Sequence, residues 1–157
     1  MARAIEIRRA VETEARRLSG LALSAKAHWG YSREALEAWR PELAVSPDDI
    51  RGKPTFVAIV DGAVAGFYSL SPSGDAWELT NLWVAPPFMR RGIGRALMSH
   101  ALETAARGGA TRITVDADPN AEPFYVACGA HRRGEVPAPI REAPKRIRPQ
   151  LVFDIPE

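Results

Sequence analysis

The chain has 157 residues, of which 46% are hydrophobic and 25% charged, and its formal net charge is +2. This length predicts one domain, residues 1–157, with enough buried surface to be stable without disulfides. The net charge is too small to indicate nucleic-acid binding by itself, and the lone cysteine, Cys128, excludes an intramolecular disulfide and predicts a cytoplasmic protein.

The first predicted elements are a strand and two helices. Ala4–Arg8 alternates apolar and polar residues, which indicates a strand and not a signal peptide, and no stretch approaches the ~20 apolar residues of a membrane span. Val11–Ala27 has an apolar stripe at helical spacing and is interrupted at Gly30. Ser32 is the predicted N-cap of the second helix, which should end before Pro41.

A group of strands is predicted next. Ala44–Lys53 has the composition of a loop. Asp61-Gly62 lies between two apolar runs, and this dipeptide is the strongest short signal of a β-hairpin. A second turn, with the sequence SPSGD, leads into a strand over Trp77–Val84.

The C-terminal half alternates helices with strands. A helix over Gly92–Arg107, ended by two glycines, precedes a β-branched strand over Thr111–Asp116 and a short helix. His131–Val136 and Leu151–Ile155 are a predicted final strand pair, joined by a loop rich in proline and arginine. This order predicts an α/β fold with a mixed sheet covered by helices.

The segment with the sequence LWVAPPFMRRGIGRA says most about function. An apolar strand ends at Val84, and Gly92-Ile93-Gly94 opens an amphipathic helix. Backbone N–H groups at a helix start lack partners and lie at the positive end of the helix dipole, which suits phosphate. Glycine lets an anion approach the backbone closely. Three side chains add positive charge at the same place: Arg90, Arg91 and Arg95.

Three kinds of phosphate loop compete for this segment. A Walker loop needs Lys and then Ser or Thr after its last glycine, whereas Arg95-Ala96 follow here. A dinucleotide loop needs a glycine directly after the strand, whereas seven residues separate Val84 from Gly92 and Leu97 holds the sixth motif position. A tight turn beside a solvated basic face is the alternative without a ligand.

The segment resembles the acyl-CoA pyrophosphate loop of the GNAT superfamily of N-acetyltransferases, whose pattern is Arg/Gln-x-x-Gly-x-Gly/Ala. Gly92 and Gly94 match the two glycines, whereas Met89 stands at the usual Arg or Gln position. The resemblance is closest over Thr55–Ala130. It implies a mostly antiparallel sheet of six or seven strands flanked by about four helices. It also implies acetyl-CoA as cosubstrate, held at Arg90, Arg91, Gly92, Ile93, Gly94, Arg95 and Ala96.

The strand before this loop pairs with the pantetheine arm of the cofactor in the family, and the matching residues are Leu82, Trp83 and Val84. Such pairing needs a free strand edge. A lysine-like amine has a pKa of about 10.4, so a general base is expected near the acceptor. Glu78 is the candidate, since strand alternation places it on the face of Val84 and some family members carry a catalytic glutamate there. A solvent-facing or ion-paired Glu78 is the equal alternative.

The sequence DPNAEPFY resembles the family segment whose Asn contacts the cofactor and whose Tyr donates a proton to departing CoA. Asn120 and Tyr125 match these positions. The alternatives are that Asn120 caps the short helix and that Phe124 and Tyr125 are core aromatics. We interpret Phe124 as a core residue and Tyr125 as the acid.

His28, Trp29 and Tyr31 lie where the acceptor groove of the family begins, and they would suit a small amine. A packed aromatic corner explains them nearly as well. The three histidines are dispersed along the chain, so no metal is predicted. Cys128 is interpreted as a small core residue and not as a nucleophile, so transfer should be direct, through a ternary complex.

The C-terminal loop carries four basic residues that could attract an anionic acceptor: Arg141, Lys145, Arg146 and Arg148. A solvated, mobile loop is the simpler interpretation. The sequence as a whole predicts an N-acetyltransferase acting on a small-molecule or peptide amine, without a membrane or nucleic-acid partner. The alternatives are transfer to a macromolecule such as a charged tRNA, and a non-catalytic acyl-CoA-binding or sensing module. The resemblance also allows a homodimer through the C-terminal strands.

Overall fold

The computed structural model describes residues 4–156 of the chain. The strands of this part are β1 (Glu6–Arg9), β2 (Thr55–Val60), β3 (Ala63–Ser71), β4 (Ala76–Val84), β5 (Arg112–Asp116), β6 (His131–Pro137) and β7 (Ile147–Asp154). The α-helices are α1 (Ala15–Ala27), α2 (Arg33–Leu43), α3 (Pro47–Gly52), α4 (Ile93–Arg107) and α5 (Glu122–Ala127). Short 3₁₀ turns cover Glu12–Glu14, Pro86–Phe88 and Pro119–Ala121.

The strands form a seven-stranded sheet in the order β1-β2-β3-β4-β5-β7-β6. Antiparallel pairs join β1 to β2, β2 to β3, β5 to β7 and β6 to β7. The pair of β4 and β5 is parallel. The predicted mixed, mostly antiparallel sheet is therefore confirmed, and residues 4–156 contain five α-helices where about four were expected.

The first of two compact units contains the described residues up to Leu70 together with Asn81–Ala101. Its core joins the inner face of α1 to β2 and β3, with Leu18, Val57 and Phe67 fully buried. The hairpin between β2 and β3 turns at Asp61 and Gly62, whose φ angles of 52° and 80° give both central residues the left-handed backbone of a tight hairpin turn. The predicted hairpin is confirmed.

The second compact unit contains Ser71–Thr80 and residues 102–156. Its core includes Ile113 and Phe153, which face each other in the register of β5 and β7 and are at most 2% exposed. Gly109 adopts a φ of 91° and ends α4, as predicted. The prediction of a single domain stays a prediction.

Three local predictions are wrong. The segment predicted as a loop contains α3, because Ser46 and Asp49 form a reciprocal capping box with Pro47 at the first helical position. Pro41 lies inside α2 and does not end it. Pro41 has no N–H to donate to the carbonyl of Glu37, four residues before it. Because Glu37 is exposed, water can replace this hydrogen bond, and its loss costs little in the last turn of a helix.

The third error is in the last strand. It begins at Ile147, four residues before the predicted Leu151, because Ile147–Pro149 pair with β6. Among the described residues, the helices are too short or too polar to cross a membrane.

We predict that Gly108→Ala destabilises the protein. A Cβ at Gly108 would lie 2.3 Å from the indole of Trp77, which is only 9% exposed and has little room to move. The free energy of unfolding should fall by about 1–3 kcal/mol.

Gly20→Ala in α1 is the matched control, since a Cβ there meets nothing within 4 Å. It should stabilise the protein by about 0.5–1 kcal/mol because alanine is the better helix former. Urea unfolding of both variants measures the difference, and equal stability of Gly108→Ala and the wild type would contradict the packing described for Trp77.

Candidate functional site

The connection from β4 to α4 contains two left-handed backbone positions close together. Arg90 has a φ of 63° and Gly92 a φ of 81°, and α4 begins at Ile93. The carbonyl of Gly92 accepts the first helical hydrogen bond, from the N–H of Ala96 at 3.1 Å. The N–H groups of the first helical turn, at Ile93, Gly94 and Arg95, therefore lack partners within the helix and form a potential anion site.

Gly92 is required by its backbone conformation and not by lack of space. Residues with a Cβ rarely adopt a φ of 81°, so any substitution there is strained. A Cβ built on Gly92 meets nothing within 4 Å, so the space beside the backbone of this residue is open. An anion can therefore approach the backbone at this point.

The arginines around this helix start differ from several other arginines of residues 4–156 in their partners. Arg8, Arg51 and Arg132 each pair with a carboxylate. Within residues 4–156, Arg90, Arg91 and Arg95 are exposed and have no carboxylate partner. Arg91 lies over the ring of Phe88, 5.7 Å from its centroid. The positive charge predicted for this position is therefore available to a bound anion.

The part of β4 that precedes the loop extends beyond its register with β5. The parallel register joins Ala76–Glu78 to Arg112–Thr114, and β4 continues for six residues, to Val84. Leu82, Trp83 and Val84 are half-buried, and Trp83 packs against the apolar core of the first unit. Of these three residues, Trp83 has the side-chain packing of a core residue.

Glu78 lies on β4 opposite Thr114 and is exposed between the buried Trp77 and Leu79. The alternation of buried and exposed residues ends at Leu79, and Thr80–Val84 are all half-buried. The pattern that should place Glu78 on the same face as Val84 is thus interrupted between them. The shared face stays a prediction.

Asn120 is held by Asp118 in a local turn. Its backbone N–H and its side-chain amide donate to the same oxygen of Asp118, at 2.8 Å and 3.0 Å. Asp118 caps the 3₁₀ turn, whereas the N-cap of α5 is Ala121, which makes no side-chain capping hydrogen bond. The interpretation of Asn120 as the cap of the short helix is therefore wrong. This turn leads directly into α5.

Tyr125 is 7% exposed and packs edge-on against the rings of Phe124 and Phe153. Burial raises the pKa of its phenol above the ordinary value, and the nearby Cys128 and Asp118 raise it further. A raised pKa keeps the phenol protonated at neutral pH. Tyr125 can therefore donate a hydrogen bond or a proton, and it cannot act as a base there.

The aromatic residues between α1 and α2 divide into two groups. His28 is exposed, and Trp29 is 44% exposed. Tyr31 instead packs edge-on against Trp39, at 4.7 Å between ring centroids, and the ammonium of Lys26 lies over both rings. The packed corner describes Tyr31, whereas His28 and Trp29 remain available to a ligand.

Arg146 and Arg148 of the C-terminal loop both pair with aspartates. Arg146 donates to Asp118 at 3.4 Å, and both side chains are at most 7% exposed. Arg148 donates to Asp116 at 3.0 Å on the surface. The simpler interpretation of a solvated loop is therefore wrong for Arg146. The sequence offered no local signal for this buried pair, whose members are 28 residues apart.

Comparison with family profiles identifies the family of the chain. The profile described as the acetyltransferase (GNAT) family matches residues 22–130. The chain belongs to this family. Membership implies acyltransferase activity, and the matched range includes the β4–α4 connection, Asn120 and Tyr125.

Solved structures show the same fold. The PaiA N-acetyltransferase of Thermoplasma acidophilum, solved in complex with coenzyme A, is 19% identical, with a TM-score of 0.78 and coverage of 96% of this chain and 99% of that one. The ribosomal-protein-S18-alanine N-acetyltransferase of Escherichia coli is 17% identical, with a TM-score of 0.74 and coverage of 98% and 96%.

A third similar structure is a longer protein. N-acetylglutamate synthase of Neisseria gonorrhoeae, complexed with coenzyme A and N-acetyl-glutamate, is 20% identical, with a TM-score of 0.69 and coverage of 98% of this chain and 36% of that one. None of the curated protein sequences matches this chain.

We predict different costs for removing the charge of two neighbouring carboxylates. Asp118→Asn should lower the free energy of unfolding by about 3 kcal/mol, because it leaves the buried Arg146 guanidinium without its counter-charge. Asp116→Asn is the matched control and should cost less than about 1 kcal/mol, because its pair with Arg148 is solvent-exposed. Chemical unfolding of both variants measures the costs, and equal costs would contradict the burial of the Asp118–Arg146 pair.

Proposed function

We propose that this chain moves the acetyl group of acetyl-CoA to a primary amine of a small molecule or peptide, directly and within a ternary complex. The observation that carries the proposal is the helix start at Gly92–Gly94, where open space, unpaired N–H groups and three arginines without carboxylate partners coincide. A pyrophosphate matches this arrangement in charge and in hydrogen-bonding type, because it supplies acceptors only.

The residues of the loop fit the pyrophosphate in complementary ways. The N–H groups of Ile93, Gly94 and Arg95 would donate to its oxygens, and the side chains of Arg90 and Arg91 would balance its charge. Met89 stands where many family members have a charged or amide side chain, so this chain would hold the group through the backbone and the following arginines.

The C-terminal part of β4 would hold the pantetheine arm. Strand backbones bind extended ligands by adding hydrogen bonds along a free edge. Leu82–Val84 lie beyond the register that joins β4 to β5 and are half-buried, so their side chains can pack while their backbone groups bind. This arrangement would place the acetyl end of the cofactor along the strand and away from the pyrophosphate loop.

The chemical step needs a neutral amine and a protonated leaving group. Acetyl-CoA, when bound, supplies an acetyl group activated as a thioester. Glu78 would accept the proton that the acceptor ammonium loses, because an amine of pKa about 10.4 is almost entirely protonated at neutral pH. Glu78 is exposed, which suits proton transfer through water. The phenol of Tyr125 would donate its proton, or a hydrogen bond, to the departing sulfur.

His28 and Trp29 would contact the acceptor amine. Both side chains are exposed at the end of α1, and an indole face attracts an ammonium group. Tyr31, which packs edge-on against Trp39, would support His28 and Trp29.

We predict that Gly92→Ala weakens the binding of CoA. Moving φ at this position out of the left-handed region would redirect the N–H groups of the helix start, and the Kd should rise about tenfold. Gly62→Ala in the hairpin turn is the matched control, since it has nearly the same φ, 80°, and equally open space.

Both variants should lose similar stability, whereas calorimetric titration should show weakened CoA binding only for Gly92→Ala. Wild-type affinity in Gly92→Ala would contradict the assignment of the loop to the pyrophosphate.

We also predict that Tyr125→Phe lowers kcat about 100-fold or more while the KM for acetyl-CoA changes little. The phenylalanine ring can keep the packing against Phe153, so only the hydroxyl is lost. Because the pKa of Tyr125 is raised, its ionisation should cause no fall in wild-type kcat up to about pH 10. Tyr68→Phe, at another buried tyrosine, is the control and should retain activity. Turnover of Tyr125→Phe at the wild-type rate would exclude Tyr125 as the acid.

A further inference from the structure

We propose that Asn81, together with Ser69 and Gly66, is a positioning residue that fixes the β4 edge for the pantetheine arm. The inference rests on the proposed function and extends it to residues that do not contact the cofactor. All three belong to the first compact unit and lie on β3 or β4.

The C-terminal part of β4 needs support of its own. A strand in a sheet is usually held in place by hydrogen-bonded ladders on both sides. The register between β4 and β5 joins residues only up to Glu78 on β4, six residues before the strand ends. The position of Leu82–Val84 must therefore be set from the side of β3.

A chain of side-chain hydrogen bonds provides part of this support. The indole N–H of Trp83 donates to the amide oxygen of Asn81 at 3.0 Å. The amide nitrogen of Asn81 donates to the hydroxyl of Ser69 on β3 at 2.8 Å, and Ser69 is only 5% exposed. The side chain of Asn81 thus uses both ends of its amide to join a residue of the edge to a buried residue of the neighbouring strand.

Close contact between the backbones of β3 and β4 provides the rest of the support for the C-terminal part of β4. A Cβ on Gly66 would lie 2.7 Å from the carbonyl oxygen of Trp83, a distance that real Cβ atoms do not show, so β4 can approach β3 here only because residue 66 is glycine. One step further, the N–H of Ala85 donates to the carbonyl of Ala65 at 2.8 Å.

These two contacts direct the backbone of Val84. Backbone groups of successive strand residues point to opposite sides. The carbonyl of Trp83 and the N–H of Ala85 point toward β3. The N–H and C=O of Val84, which lies between them, therefore point away from β3. That is the edge on which the proposed pantetheine arm would bind.

The experiment compares two probes that share the nucleotide but differ in the pantetheine arm. CoA and 3′-phosphoadenosine 5′-diphosphate, which keeps both phosphates of the pyrophosphate, are titrated calorimetrically into the wild type, Asn81→Leu and Trp83→Phe. Asn81→Leu removes both hydrogen bonds of the amide, and Trp83→Phe removes the indole N–H together with part of the ring that packs against the core. Trp77→Phe is the matched control, because Trp77 lies on the paired part of β4 and packs against Gly108.

We expect Asn81→Leu to raise the Kd of CoA about fivefold or more, and Trp83→Phe to raise it in the same direction, because each loses a hydrogen bond that holds the edge. The Kd of 3′-phosphoadenosine 5′-diphosphate should stay unchanged in both. A loss of stability alone would not move the ratio of the two affinities. Trp77→Phe should lower the melting temperature and leave this ratio as in the wild type.

Two results would overturn the inference. Wild-type CoA affinity in both Asn81→Leu and Trp83→Phe would show that the hydrogen-bonded chain does not set the edge. An equal rise in Kd for both probes would show that the substitutions act on the pyrophosphate loop. Failure of the wild-type chain to bind CoA would overturn the proposed function itself, so the two failures are distinguishable.

Discussion

The proposed site depends on one constraint in the sheet, which is the end of the β4–β5 register at Glu78. Backbone N–H and C=O groups in a half-buried strand are costly to leave unpaired, at about 1–3 kcal/mol each. A strand that continues past its partner must therefore have its position set by other contacts and its free groups satisfied by water or a ligand. In this chain the contacts come from β3, through Ser69, Asn81 and Gly66, and we propose acetyl-CoA as the ligand.

In the proposed phosphate site, the direction of the N–H groups depends on buried residues of α4 that lie at a distance from the ligand. Ile93, Leu97 and Met98 on α4 are at most 2% exposed, which fixes the axis of the helix and the direction of its first N–H groups. The chain turns into this helix through left-handed backbone conformations at Arg90 and Gly92, and the backbone strain of the turn lies at these two residues. Arginines without carboxylate partners then make the helix start favourable for an anion.

Interactions local in the sequence were predicted well from it. The turn at Asp61-Gly62, the cap at Ser32 and the helix end at Gly109 depend on one or two residues and their own backbone angles. The capping box of α3 is also a local signal, since Ser46 lies three residues before Asp49, and it indicates a helix in a segment whose composition is that of a loop. Pro41 shows the opposite case, because a breaker residue is tolerated where the last turn of a helix is solvated.

Interactions between distant residues could not be predicted. The Asn81–Ser69 hydrogen bond spans 12 residues and depends on how β3 and β4 approach each other at Gly66. The Asp118–Arg146 pair spans 28 residues, and only the folded C-terminal loop buries it. The glycine motif is enough to identify the loop. Only the folded structure shows that Arg90, Arg91 and Arg95 have no carboxylate partner within residues 4–156 and remain available to an anion.

The most direct test of the central claim is a residue-resolved titration of the backbone amides with CoA by ¹⁵N NMR. We expect large, saturable shifts for the N–H groups of Ile93, Gly94 and Arg95, together with smaller shifts along Leu82–Val84. NADH, at the same concentrations, should leave these resonances unchanged. Saturable CoA binding that shifts other amides and leaves the start of α4 unaffected would contradict the claim that this helix start binds the pyrophosphate.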